Sequence, residues 1–171
     1  MARWLTAAAV LALLGCGSHA PLATAPSVDL QRYAGTWYEI ASFPNRFQRG
    51  CVATRATYTP RADGTIGVRN ECRRGTLDAP VDVIDGKAWV VDPATRSRLA
   101  VQFVWPFRGA YDILWVDPDY TTAVVGHPSR NYLWILSRTP RLDESSYQAL
   151  VARAAAQGFD VARLQRTPQR P

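Results

Sequence analysis

Gly35-Thr36-Trp37-Tyr38-Glu39-Ile40-Ala41 is the stretch that decides the architecture. Its Thr, Trp, Tyr and Ile suit a pleated, half-buried surface, so it reads as a strand. Gly35 opens it, where the backbone must bend or approach another segment closely. Strand alternation sends Trp37, Glu39 and Ala41 to one face and Tyr38 and Ile40 to the other. Far along the chain lies a second strongly β run, Tyr132-Leu133-Trp134-Ile135-Leu136-Ser137-Arg138-Thr139-Pro140. A first strand with a large indole and a last strand ending in Arg138 form a pair that a closed barrel brings together, guanidinium over ring.

The lead-in Asp29 to Ala34 is expected to make one short helical turn. Phe43 to Gly50 then breaks the pattern with two Phe in a segment too long for a tight turn, and it reads as a lid-like loop. Cys51–Thr59 and Thr65–Arg73 flank Pro60-Arg61-Ala62-Asp63-Gly64, which makes them a hairpin. Centred between Arg61 and Ala62, that hairpin pairs Tyr58 with Thr65 and Cys51 with Cys72. In an exported chain the opposed pair predicts a disulfide, the alternative being two free buried thiols. Further strands are expected at Val81–Val91, Arg98–Trp105, Ala110–Asp117, Thr121–Gly126 and Tyr132–Arg138, each bounded by turn residues. Counted from Gly35 these are eight strands, which close naturally into a barrel wide enough for one small ligand. Only one segment has helical period. Asp143 caps it, Tyr147, Leu150, Val151, Ala154 and Ala155 share a face, and Gly158 sits just past its end. Phe159 to Leu164 follows as a short apolar extension. The fold class is therefore all-β: an eight-stranded antiparallel up-and-down barrel with one C-terminal α-helix packed outside.

The 171 residues suffice for one domain with a substantial core. Met1 to Gly15 stands apart, with Arg3 as a positive start and Trp4 to Leu14 almost wholly apolar but too short to span a bilayer as a helix. Its exit, Leu13-Leu14-Gly15-Cys16, resembles the bacterial lipobox, in which the Cys is acylated and becomes the N-terminus; an ordinary secretory signal with an incidental Cys is the alternative. Gly17, not Asp, follows, which resembles the outer-membrane sorting pattern. The expected organisation is a lipoprotein signal peptide at 1–15, a flexible lipidated tether at 16–28 and the barrel domain at 29–171.

The net charge of +6 falls to +5 once Arg3 is removed with the signal peptide. Nineteen of the twenty basic residues are Arg and the other is Lys87, and they are scattered with no stripe. A nucleic-acid partner is excluded on that pattern, whereas weak attraction to anionic headgroups is not. No phosphate loop, dinucleotide fingerprint, metal-spaced His/Cys cluster or nucleophile elbow is present. His19 falls in the tether and His127 stands alone before Pro128. Neither catalytic residues nor a cofactor or metal is expected.

The G-x-W strand, the eight-strand count, the single C-terminal helix and the final-strand Arg together resemble the lipocalin family over about Asp29 to Leu164. Gly35-Thr36-Trp37-Tyr38 is similar to its first signature, Asp117-Pro118-Asp119-Tyr120 to its second and Arg138 to its third. The resemblance implies that Gly35, Trp37, Asp119, Tyr120 and Arg138 meet at the closed base. With the lipobox, it points to the bacterial outer-membrane lipocalins, relatives of apolipoprotein D. It implies an outer-membrane, periplasm-facing protein that holds a fatty acid or lysophospholipid for storage, transport or membrane maintenance. Its partners would be that ligand and, through acyl chains on Cys16, the membrane, with a homodimer left open. A barrel-based enzyme acting on a lipid or isoprenoid, and a structural lipoprotein with no ligand, stay open as other classes.

Alternation aims Trp89, Phe103, Trp105, Tyr111 and Trp134 at one or other surface of the sheet, with the inward parity unfixed until bulges are located. Loops Phe43–Gly50, Arg74–Pro80, Pro106–Gly109 and His127–Arg130 are expected to share the open end. There Phe43, Phe47 and Phe107 lie near Arg46, Arg49, Arg108 and Arg130, a mixture suited to an amphiphile. If Trp37 faces inward so does Glu39, either paired with an Arg or Tyr or meeting a headgroup.

Overall fold

The structure, a computed structural model, describes residues 20–170. The expected signal peptide and Cys16 lie outside the described residues. The short helix α1 (Leu30–Tyr33) is capped by Asp29, whose carboxylate accepts from the amides of Gln31 and Arg32. Eight strands follow: β1 (Gly35–Ser42), β2 (Cys51–Pro60), β3 (Ile66–Arg74), β4 (Val81–Val90), β5 (Arg98–Gln102), β6 (Gly109–Val116), β7 (Thr122–Gly126) and β8 (Leu133–Ser137). Each pairs antiparallel with the next, β8 returns to β1, and β1 pairs with β2, so the sheet closes on itself. Helix α2 (Glu144–Ala156) starts at Asp143, whose side chain accepts from the Ser146 amide, and ends before Gly158 at φ +82°. Tyr147, Leu150 and Ala154 are buried and Val151 partly so, whereas Ala155 faces solvent.

Closure divides the apolar residues into two clusters. Tyr33, Trp37, Tyr58, Val68, Leu99, Ile113, Val125 and Leu136 fill the lower barrel. Ile40, Phe43, Leu114, Val124, Ile135, Leu150 and Phe159 pack between the outer wall and α2. Bulges at Glu39/Ala41 and Ile113/Trp115 switch the parity of β1 and β6.

The β2–β3 register differs from the expected one. Tyr58 faces Val68, not Thr65, and Cys51 faces Arg74, not Cys72. The turn is centred on Asp63, not between Arg61 and Ala62: Pro60 pairs with Ile66, the Arg61 amide donates to the Thr65 carbonyl, and Asp63 accepts from the Thr65 amide and hydroxyl. A bulge between Val52 and Arg55, with Ala53 at φ +50°, then shifts the pairing again. The Cys51–Cys72 disulfide still forms, with Cα atoms 5.4 Å apart, but diagonally across the ladder.

The segment before Asp29 is not the expected free tether over its described part. Leu22, Ala25 and Val28 are buried, the Ala25 amide donates to the Ile113 carbonyl and the Val28 amide to the Thr95 carbonyl. Its apolar residues had been obscured by intervening Ala, Pro and Thr.

The C-terminal tail also joins the wall. The β1–β2 ladder spans only Gly35–Tyr38. Above it, β9 (Gln165–Arg166) pairs with Ser42 and Ala41. The Thr167 amide donates to the Ile40 carbonyl, the Ala53 amide donates to the Pro168 carbonyl, and Gln169 Nε2 donates to the carbonyls of Glu39 and Thr54. The tail thus stands between β1 and β2 and completes the upper barrel.

Candidate functional site

The base is built around Trp37, which is 0% exposed. The Arg138 guanidinium lies 3.9 Å from its ring centroid. Arg138 donates to the carbonyls of Tyr120, Thr36, Arg32 and Ala34, at 3.1, 2.9, 2.7 and 2.8 Å, tying α1, β1 and the β6–β7 turn together. Gly35, at φ +92°, passes so close that an added Cβ would meet Arg138 Nη1 at 3.4 Å. A side chain there is strained by the backbone as well as by the contact. Tyr120 contributes its carbonyl, and its hydroxyl accepts from the Asp29 amide. The carboxylate that builds this turn is Asp117, which accepts from the amides of Asp119, Thr121 and Thr122. The Asp119 side chain makes no hydrogen bond among the described residues.

Three tyrosine hydroxyls form the floor of the barrel. Tyr111 Oη lies 2.8 Å from both Tyr33 Oη and Tyr58 Oη. Burial pushes the Tyr58 phenol up to about 12 and raises those of Tyr33 and Tyr111 well above the ordinary value. The trio is therefore neutral and acts as a linked donor–acceptor chain.

Above the floor the interior becomes more polar. Glu39, 5% exposed, accepts from the hydroxyls of Ser42 and Thr167 and from Gln48 Nε2. No cation pairs with it among the described residues. Burial raises its carboxyl above the usual range, and these donors offset part of the rise. Gln48 Oε1 accepts in turn from Trp134 Nε1 at 3.0 Å. Gln48 belongs to a single 3₁₀ turn, Arg46–Gln48, capped by Asn45. Glu39 therefore joins three separate pieces: the first strand, the loop over the mouth and the C-terminal tail. Nearby, Thr54 Oγ1 and Asn70 Oδ1 are buried without a hydrogen-bond partner. Asn70 sits two positions along β3 from the inward Val68 and faces Ala56 and Ile84, so it belongs to the inner wall. Ile84, inward by the same alternation from Ala88, is 46% exposed. The interior is thus packed below and open above, a cup more than a deep tube.

The eight expected lining residues separate into three groups. Phe103, Tyr111 and Trp134 belong to the interior. The Phe103 ring lies against Gly86, where an added Cβ would come within 2.6 Å of it, so only glycine accommodates that packing. Phe47, Trp105 and Phe107 sit on the rim, 64%, 82% and 75% exposed. β5 ends at Gln102, three residues earlier than expected, which carries Trp105 off the sheet. Phe43 and Trp89 are outside. Phe43 packs edge-on against Phe159 beneath α2, because the bulge in β1 turns it outward. Trp89 alternates with the inward Ala88 and meets Lys87 and Arg108 on the outer face. Arg130 is buried, donating to the carbonyls of Gln157, Pro128 and Ala20, and so offers nothing to a headgroup. His127 is bonded to Ser129. The tyrosine floor, Gln48 and the tail's part in the wall were missed; the weak sequence signal was Thr and Gln spaced within an otherwise featureless C-terminus.

The sequence matches the lipocalin-like domain family over residues 28–169. The chain belongs to that family. It is 45% identical to temperature-induced lipocalin-1 of Arabidopsis thaliana over 155 residues, covering 83% of this chain and 80% of that one. It is 41% identical to outer membrane lipoprotein Blc of Escherichia coli K12 over 167 residues, covering 93% and 92%. Bovine apolipoprotein D is 29% identical over 164 residues, covering 91% and 84%. Among solved structures, insecticyanin from Manduca sexta superimposes with a TM-score of 0.71 at 16% identity, over 90% of this chain and 87% of that one, a likeness of fold. Within this lipocalin, the expected base residues Gly35, Trp37, Tyr120 and Arg138 do converge.

Proposed function

We propose that this lipocalin is an outer-membrane-anchored, periplasm-facing lipid-binding protein that holds a fatty acid or lysophospholipid by its chain. Storage, transport or membrane maintenance would follow from that capacity. Lipocalin membership supports a small hydrophobic ligand, and the 41% identity to outer membrane lipoprotein Blc supports the location. The lipobox at Leu13–Cys16 supplies the anchor. The observation that carries the reading is the upper barrel, where Trp134, Phe103 and Ile84 offer apolar wall beside the unpartnered Thr54 Oγ1 and Asn70 Oδ1. Unsatisfied buried acceptors cost free energy that a ligand hydroxyl or ammonium offsets. Entry requires Gln48 to release Glu39 and Trp134, so the loop over the mouth moves as the chain enters.

The test is native mass spectrometry of protein purified from membranes, followed by titration with fatty acids and lysophospholipids of increasing length. Trp134 fluorescence reports occupancy. Affinity should climb by about 0.8 kcal/mol per added methylene until the cup is full, then level off. A flat response, or equal binding after Trp134→Ala as read by native mass spectrometry, removes the carrier reading. The packed floor favours one competitor, the structural lipoprotein with a solid barrel, and the same titration decides between them.

A further inference from the structure

We propose that the mouth end of the barrel is a bilayer-docking face, so that the barrel opens onto the anionic lipid surface that holds its N-terminus. The proposal rests in part on the lipid anchor proposed above.

Its first support is the direction of the N-terminal segment. The Ala20 carbonyl accepts from Arg130 Nη2 at 2.6 Å, and Arg130 lies in the β7–β8 connection at the mouth. Ala23 exchanges bonds with Gln157, at the mouth end of α2, at 2.9 and 2.6 Å. Eight residues after Ala20, the Val28 amide reaches the Thr95 carbonyl in the β4–β5 connection at the base. The segment therefore enters at the mouth and is fastened down the outer wall. Only Gly17, Ser18 and His19 separate Cys16 from Ala20. Four extended steps reach at most about 14 Å. An acyl group on Cys16 is thus held close to the mouth, and the docked Ala20–Val28 leaves no slack for the base to face the membrane instead.

Second, the exposed apolar surface is concentrated at the same end. Of the eight large apolar side chains exposed among the described residues, Phe47, Val104, Trp105 and Phe107 lie on mouth loops, Val81 and Val83 on the mouth half of β4, and Ile84 on the inner wall just below them. The eighth, Val91, is at the base. Aromatic rings standing off a rim beside arginines match the interfacial zone of a bilayer, where rings take the acyl boundary and guanidinium groups the phosphates.

Third, the charge fits. Arg46, Arg49 and Arg108 are exposed at the mouth and make no ion pair among the described residues. The neighbouring acids Asp78 and Asp82 are each already paired, with Arg170 and Arg74, at 2.8 Å in both cases. The rim is therefore cationic towards an approaching anionic surface.

Trp105 is a built-in reporter. The acylated protein is reconstituted in phosphatidylethanolamine/phosphatidylglycerol vesicles with or without brominated chains, with Trp105→Phe as the subtraction. The Trp105 signal is expected to shift to the blue, be quenched by bromine and be shielded from iodide. Unacylated Cys16→Ala protein should sediment with these vesicles and not with phosphatidylcholine. Replacing Arg46, Arg49 and Arg108 by Gln should lower that partitioning on the order of a hundredfold. A vesicle-bound protein whose Trp105 remains open to iodide and unquenched by bromine overturns the proposal, and would assign the rim to a protein partner. So would unchanged partitioning of the arginine variant. Failure of the anchor reading shows separately, as a purified mass without acyl chains, and the unacylated arm still decides the rim. Failure of lipid carriage shows as no fatty-acid uptake while Trp105 inserts.

Discussion

Replacing Arg138 by Lys tests the base while leaving the mouth untouched. The wild-type guanidinium makes four hydrogen bonds to backbone carbonyls of three chain segments and lies 3.9 Å from the Trp37 centroid. At about 1 kcal/mol per hydrogen bond and about 1–2 kcal/mol for the cation–π contact, Arg138→Ala should cost about 5 kcal/mol. That is a third or more of the stability of a typical domain. Lys keeps the charge but has one nitrogen where Arg has a planar fork, so it satisfies some carbonyls and leaves others buried and unpaired. The expected loss for Arg138→Lys is about 2–3 kcal/mol, or a drop of about 5–10 °C in the melting midpoint. Urea melts followed by Trp fluorescence give the free energy, and a fatty-acid titration of the folded variant gives its binding. A Lys variant within about 0.5 kcal/mol of wild type would match an ordinary surface change and refute the account of the base. Weakened binding at full stability would place Arg138 in the ligand site instead.

Reducing the Cys51–Cys72 bridge, which spans 21 positions, should lower stability by about 3 kcal/mol, and two free thiols in periplasmically expressed protein would contradict the pairing. Glu39 has a raised carboxyl, so the folded protein holds a proton that the unfolded chain releases around 4.5. Stability from this group is full below that value and lost as pH rises through the raised one. Protection factors at residues 46–48 and 165–169, which are corrected for the intrinsic base-catalysed rate, should consequently fall as pH rises above 4.5, and Glu39→Gln should flatten the dependence. Tyr33, Tyr58 and Tyr111 stay protonated in the fold while unfolded tyrosine ionises near 10. Their contribution is present below that value and fades above it, and ultraviolet titration should find three of the seven tyrosines silent until the protein unfolds.

The barrel was legible because its evidence is local and repeated: β-rich runs, turn residues and a single helical period. The convergence of Trp37 with Arg138 was legible because strand direction alone places them at one end. Register was not. The Cys51–Cys72 bridge was expected from a direct pairing and forms through a diagonal one, because Ala53 bulges and the turn is centred on Asp63, further along the chain than its Pro-Arg-Ala-Asp-Gly composition implied. Parity failed where bulges intervened, which moved Phe43 beneath the helix. Trp89 went astray for a different reason: its aromatic character says that it packs, not on which face. The Glu39 network joins residues up to 128 positions apart, and no spacing rule connects a β1 carboxylate with Thr167.

The seam between β1 and β2 has a consequence for how the protein is made. Its sealing strip, Gln165 to Gln169, is synthesised after both of the strands that it joins. Until it arrives, the Ile40 carbonyl and the Ala53 amide stand on open edges. Open edges invite pairing with other chains. The folding chain therefore stays open to aggregation at this seam until residues 165–169 dock, however early the rest of the barrel has closed.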